Sequence, residues 1–157
     1  MRYRRSLLLH REDAPYGLLL RLITLVVPAA LLATGIYLIS TGENEGGFVL
    51  LGETAFVVLI FLAVFPRRYE VYEDHLRIAL GGPFGVNIGF DRIERIEITG
   101  RAAFTMNFVT KVTRTCVVIF RKGGIAVAVT PRSNEEFVAS ANQAIADWRR
   151  RGGPPSL

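Results

Sequence analysis

Two apolar runs in the first half of this 157-residue chain restrict what it can fold into more than any other feature. The first, GLLLRLITLVVPAALLATGIYLIS, occupies 17–40, and the second, GFVLLGETAFVVLIFLAVF, occupies 47–65. At about 1.5 Å per helical residue the first exceeds the ~30 Å of hydrocarbon in a bilayer and the second comes close to it. Only TGENEG separates them, so 17–66 reads as a transmembrane helical hairpin. Composition agrees: 50% of the residues are hydrophobic and the mean hydropathy is +0.32, too apolar for an ordinary soluble domain of this length. The opening MRYRR looks like the leader of a signal peptide. HREDAPY, however, separates it from the apolar run, and no small-residue cleavage site precedes GENEGG, so both helices are read as part of the mature chain.

Charge supplies the orientation. Arg2, Arg4, Arg5 and Arg11 precede the first span, Glu43 and Glu45 are the only charges in the connecting loop, and Arg67 and Arg68 follow the second span. The positive-inside rule then predicts a multi-pass protein of the bacterial inner membrane with both termini cytoplasmic. On that reading 1–16 is a cytoplasmic basic segment. The net charge of +5 collects at the membrane flanks and at Arg149–Arg151, which fits membrane orientation rather than a nucleic-acid groove. Tyr16, Tyr37 and Tyr69 fall at headgroup depth.

After Pro66 the apolar period shortens to two. RYEVYE and HLRIAL read as a hairpin turning at Glu73, Asp74 and His75; GGPFG is a turn; VNIGF and RIEIT follow, with Ile96 and Ile98 alternating with Arg95 and Glu97. TCVVIF, RKGG and IAVAV form a second hairpin. RAAFTMNFVTKVTR reads as one long strand or two short ones. Ser133 and Glu136 then form a capping box that opens a helix with the apolar stripe Phe137, Ala141, Ala144, Ile145 and Trp148. Residues 152–157 read as a disordered tail. The fold class is therefore an α+β membrane protein: a two-helix hairpin, then over 67–151 an antiparallel barrel or sandwich capped by a C-terminal helix.

This order resembles bacterial membrane proteins that carry a pleckstrin-homology-like (PH-like) domain. The shared positions are Tyr69, Val71, Leu76 and Ile78; then Asp91, Ile93 and Ile96; then Thr130, Pro131, Glu136 and Phe137. The resemblance implies a partly open barrel of about seven strands capped by a helix, held beside the membrane, and no defined reaction. Lipid-binding members of the wider superfamily grip headgroups with basic residues in the first strand pair. The corresponding turn here is Glu73-Asp74-His75, which is acidic.

Few residues suggest chemistry. Cys116 is the only cysteine and reads as a small buried hydrophobe, and His10 and His75 have no metal spacing. Asp74 and His75 are adjacent, and neighbours in a strand point to opposite faces, so they are not expected to pair. No catalytic set, cofactor or metal is expected. Glu53 is the outlier, a carboxylate within an apolar span. A register with Ser40 level with Gly47 sets it beside Thr34, about 9 Å below the outer surface, within reach of Thr34, Tyr37 or a neighbouring subunit. The alternative is a carboxyl that snorkels outward. The same register sets Arg21 level with Pro66 and Arg67, so Arg21, Arg67 and Arg68 are candidate membrane-surface contacts. Phe104, Met106 and Phe108 recur at strand spacing and are either core or a surface for a partner. The partners expected are the lipid bilayer and a protein partner or second copy, and the function expected is non-enzymatic contact or assembly at the membrane. The alternatives are an oligomeric transport component using Glu53 and sensing of anionic lipid by the arginines.

Overall fold

The structure, a computed structural model, describes residues 6–81, 84–100, 105–111 and 113–152. Phe104, three of the N-terminal arginines (Arg2, Arg4 and Arg5), part of the GGPFG turn and most of the tail lie outside them. The apolar runs form α1 (Leu18–Ser40) and α2 (Asn44–Val64). α2 begins three residues before the expected 47, because the polar Asn44–Gly46 joins the helix and only Thr41–Glu43 remain as the turn. Both helices are long and apolar enough to cross a membrane, and only 6% and 11% of their most apolar stretches are buried within the protein. They are not core helices: Leu25 is 71% exposed and Phe56 63%. The helices meet at small residues, as membrane helices do. A Cβ on Gly47 would lie 2.9 Å from the Gly35 carbonyl and overlap the Ile39 side chain.

Among the described residues there are eight strands, and one of them precedes the hairpin. β1 (Leu8–Asp13) lies in the segment read from sequence as a basic extension. Its partner is β2 (Arg68–Tyr72), in antiparallel register with Asp13 opposite Arg68 and Arg11 opposite Glu70. β3 (His75–Ala79) and β4 (Gly85–Gly89) complete a sheet in the order β1-β2-β3-β4. The second sheet contains β5 (Ile93–Thr99), β6 (Thr105–Phe108), β7 (Cys116–Arg121) and β8 (Ala126–Val129) in the order β5-β7-β8-β6. The ambiguous RAAFTMNFVTKVTR yields only β6 among the described residues, and it lies parallel to β8. The strands form two mixed or antiparallel sheets rather than a closed barrel.

α3 (Asn134–Arg150) covers the sheets with the expected stripe: Phe137, Ala141, Ala144 and Ile145 are buried, and Trp148 packs on the core. Phe137 meets Tyr69 edge to face at 6.2 Å, and Trp148 meets Phe90 at 6.0 Å. Burying a Phe of this kind contributes roughly 1.5–3 kcal/mol. An irregularity between Ile93 and Arg95 turns both Ile93 and Ile96 into the core, whereas Ile98, expected to share the face of Ile96, is 41% exposed.

The capping box at α3 is only half local. Ser133 Oγ accepts from Glu136 N–H at 3.4 Å, as the spacing predicts, but the Ser133 N–H donates to Glu12 Oε1 of β1 at 2.7 Å. The N-terminal strand therefore caps the C-terminal helix. Replacing Glu12 with Ala strands that N–H and is expected to cost roughly 1–3 kcal/mol. Glu12→Gln keeps an acceptor and should lose less. Denaturant unfolding of the full chain in detergent measures both, and equal losses would remove Glu12 from this role.

Candidate functional site

Where the helices enter the sheets, the backbone has no slack. The Ala14 N–H donates to the Arg67 carbonyl at 2.9 Å, the Arg67 N–H to Ala79 at 2.8 Å, and the Tyr16 hydroxyl to the Pro66 carbonyl at 2.9 Å. The start of α1 is held by the second sheet. The Gly17 N–H donates to Thr110 at 2.8 Å, and Thr110 Oγ1 donates to the Pro15 carbonyl at 2.7 Å. Thr110 is itself buried against Thr130, whose Oγ1 accepts the Thr110 N–H at 3.0 Å. At the other end Pro66 has no N–H, so the Leu62 carbonyl lacks its helical donor. The backbone of Gly81 closes on that carbonyl, and a Cβ there would overlap it.

This junction contains a cleft of ≈ 220 Å³ between the two helices, with Arg21, Arg67, Tyr16 and Thr24 on its polar side and Phe61, Leu62 and Phe65 among its apolar lining. The structure thus brings Arg21 and Arg67 into one cleft. Arg68 points elsewhere and pairs with Asp13 at 3.4 Å. Burial pushes the Tyr16 phenol above 10.0, and the positive charge of Arg67 offsets part of that shift. A wider cleft of ≈ 450 Å³ on the other flank of α1 is lined by Leu18, Ile23 and Val109 and carries one cation, Lys111.

The other expected contacts are redrawn. Gly47 approaches both Ile39 and Gly35, and Gly35 approaches Leu50, Leu51 and Gly47, so the close contact between the helices runs through these residues, with Glu53 six residues beyond Gly47. Glu53 therefore lies about 9 Å further into the hairpin than Gly47, and it is exposed on the helix flank while its neighbour Thr54 is buried against α1. Thr34 Oγ1 donates to its own helix at Ala30, 2.9 Å, and Tyr37 is 64% exposed. Of the proposed aromatic stripe, Met106 is exposed, Phe108 packs half-buried on the core, and the Phe108 carbonyl accepts from the Tyr69 hydroxyl at 2.8 Å.

Asp74 and His75 do pair, against expectation: Oδ1 and Nδ1 lie 2.5 Å apart. Asp74 occupies the turn rather than the strand, so strand alternation does not separate the two side chains. The buried imidazole stacks on Tyr72 with centroids 4.6 Å apart. Glu73, the other acid of that turn, pairs with Arg151 beyond α3 at 3.3 Å. The acidic turn is thereby spent on internal contacts. Among the described residues no group of three metal-ligating side chains occurs.

Two outcomes follow from the junction. Gly81→Ala is expected to destabilise the chain by roughly 1–3 kcal/mol through overpacking and to speed protease cleavage between α2 and β2. Burial also pushes Tyr69 above 10.0, with Thr110 and Thr130 lowering it in part. The folded state thus holds the phenol proton longer than the unfolded one. Its stabilising contribution is complete below pH 10 and falls as pH rises through the folded value. Unfolding midpoints measured from pH 8 to 11 should decline at the alkaline end, and less steeply in Tyr69→Phe. Comparison of the chain with family models, curated proteins and solved structures finds no match.

Proposed function

We propose that this chain is a non-enzymatic protein of the bacterial inner membrane whose hairpin spans the bilayer, with both termini cytoplasmic, and holds a PH-like domain at the surface for protein contact or assembly. One observation carries the proposal: the hairpin is inserted between the paired strands β1 and β2, so Asp13 and Arg68 face each other across its base. A domain held by both ends of its anchor cannot swing away from the membrane as it would on a linker. The exposed apolar surface of α1 and α2 supports lipid around them, and the arginines flanking the hairpin against Glu43 and Glu45 in its turn support the cytoplasmic side. The PH-like reading is supported by two sheets covered by a C-terminal helix; the eight strands among the described residues, one from before the hairpin, depart from the seven expected.

A second reading, an oligomer of hairpins with or without a transport path, is favoured by Glu53. A carboxylate exposed on the flank of an apolar helix, far from either hairpin end, is costly in lipid and is relieved by a second copy. Protease added outside intact spheroplasts should spare the domain, and protease added to inverted vesicles should remove it; the reverse pattern would sink the orientation. Cross-linking in the native membrane should trap a species of fixed stoichiometry containing this chain, whereas monomer alone would count against assembly. Glu53→Gln should abolish ion or proton flux in reconstituted vesicles if the transport reading holds, and leave assembly through the domain intact if it does not.

A further inference from the structure

We propose that the cleft rimmed by Arg21 and Arg67 binds the phosphate of a single acidic glycerophospholipid, with one acyl chain lying on Phe61, Leu62 and Phe65. The site rests on the reading of the hairpin as membrane-spanning. Two arginines from different segments line one small cleft, and among the described residues neither has a carboxylate partner. The contrast with Arg68 is informative, since that side chain, one residue from Arg67, is answered by Asp13. Two cations that line the same cleft repel each other, and an anion between them relieves that repulsion. A guanidinium fork matches phosphate oxygens in a bidentate way, which a point charge does not.

Position and shape narrow the anion to a lipid. Arg21 stands three residues into α1, so it lies about 5 Å inside the helix start, at the depth where headgroup phosphates meet hydrocarbon. Phe61 and Phe65, packed edge to face at 5.6 Å, form an apolar wall continuous with the surface of α2. Free phosphate would leave that wall uncovered. The Tyr16 hydroxyl is committed as a donor to Pro66, so the arginines supply the donors and the tyrosine ring shapes the cleft. A choline headgroup would bring a third fixed cation beside the two guanidinium groups. The cleft therefore discriminates phosphatidylglycerol from phosphatidylcholine by repulsion as well as attraction.

The test uses the full chain in detergent, with short-chain phosphatidylglycerol, short-chain phosphatidylcholine and inorganic phosphate as separate probes. Native mass spectrometry should show one phosphatidylglycerol retained per chain, bound at least about tenfold more tightly than phosphatidylcholine. Inorganic phosphate at equal concentration should not displace it. Arg21→Gln and Arg67→Gln should each weaken phosphatidylglycerol about tenfold or more, and Lys111→Gln, at the wider cleft on the other flank of α1, should change nothing. If a Gln variant does not fold, Arg67→Lys decides: it keeps the charge but loses the fork, and should still lose several-fold in affinity. Equal retention of the two lipids, full displacement by inorganic phosphate, or undiminished preference in the arginine variants would overturn the site. Alkaline carbonate extraction separates the two claims. Release of the chain from membranes sinks the spanning hairpin itself, whereas a membrane-retained chain without lipid preference sinks the site alone.

Discussion

The pairing of β1 with β2 is the constraint on which the rest depends. Antiparallel partners must start and finish side by side, so a chain that leaves β1 at Asp13 and enters β2 at Arg68 has to return to within one strand spacing of its departure. Two antiparallel helices of similar length, 23 and 21 residues, do that. The Gly35–Gly47 contact lets them run close together, and Pro66 ends the second where the sheet begins. The hairpin is thus a long excursion from one β-ladder, and the ladder is what holds its two ends together.

That geometry concentrates hydrogen bonds between distant segments at the base of the hairpin. Thr110 and Thr130 tie the entry to the second sheet, Tyr16 and Arg67 tie the exit to the first, and Glu12 reaches from β1 to cap α3. The Gly17–Thr110 and Thr110–Pro15 bonds at the helix entry would be stranded if the domain tilted from the helices, so the stranding cost resists tilting. The cleft that Arg21 and Arg67 share takes its lining from both helices and from the segments that join them to the sheets. Its location is a property of the junction and not of the domain or the helices alone.

Much of this was legible in particular residues. The helices follow from run length, and the stripe Phe137, Ala141, Ala144, Ile145 gave α3 its buried face. The strands from β2 to β5 and the β7–β8 hairpin follow from alternation. β1 was hidden because its apolar residues Leu8 and Leu9 are contiguous rather than alternating, and its remainder, HRED, reads as a charged tail. The close approach of the helices at Gly35 and Gly47 was not read from the sequence, because loop length says where two helices turn and not which small residues let them touch. The Asp74–His75 contact was not expected because strand alternation was applied to the pair, whereas Asp74 stands in the turn before β3.

The sequence by itself determined the elements that local periodicity encodes: two helices apolar all round, strands half-buried at period two, and one amphipathic helix. These follow from each segment's need to place apolar side chains against something other than water, a need that can be read without knowing the neighbour. Which neighbours meet was decided only by the tertiary structure. Glu12 capping Ser133, β6 lying parallel to β8, and Arg21 sharing a cleft with Arg67 each join segments far apart in the chain. Such pairings satisfy particular donors, acceptors and charges, and a single donor or charge leaves no periodic trace along the chain.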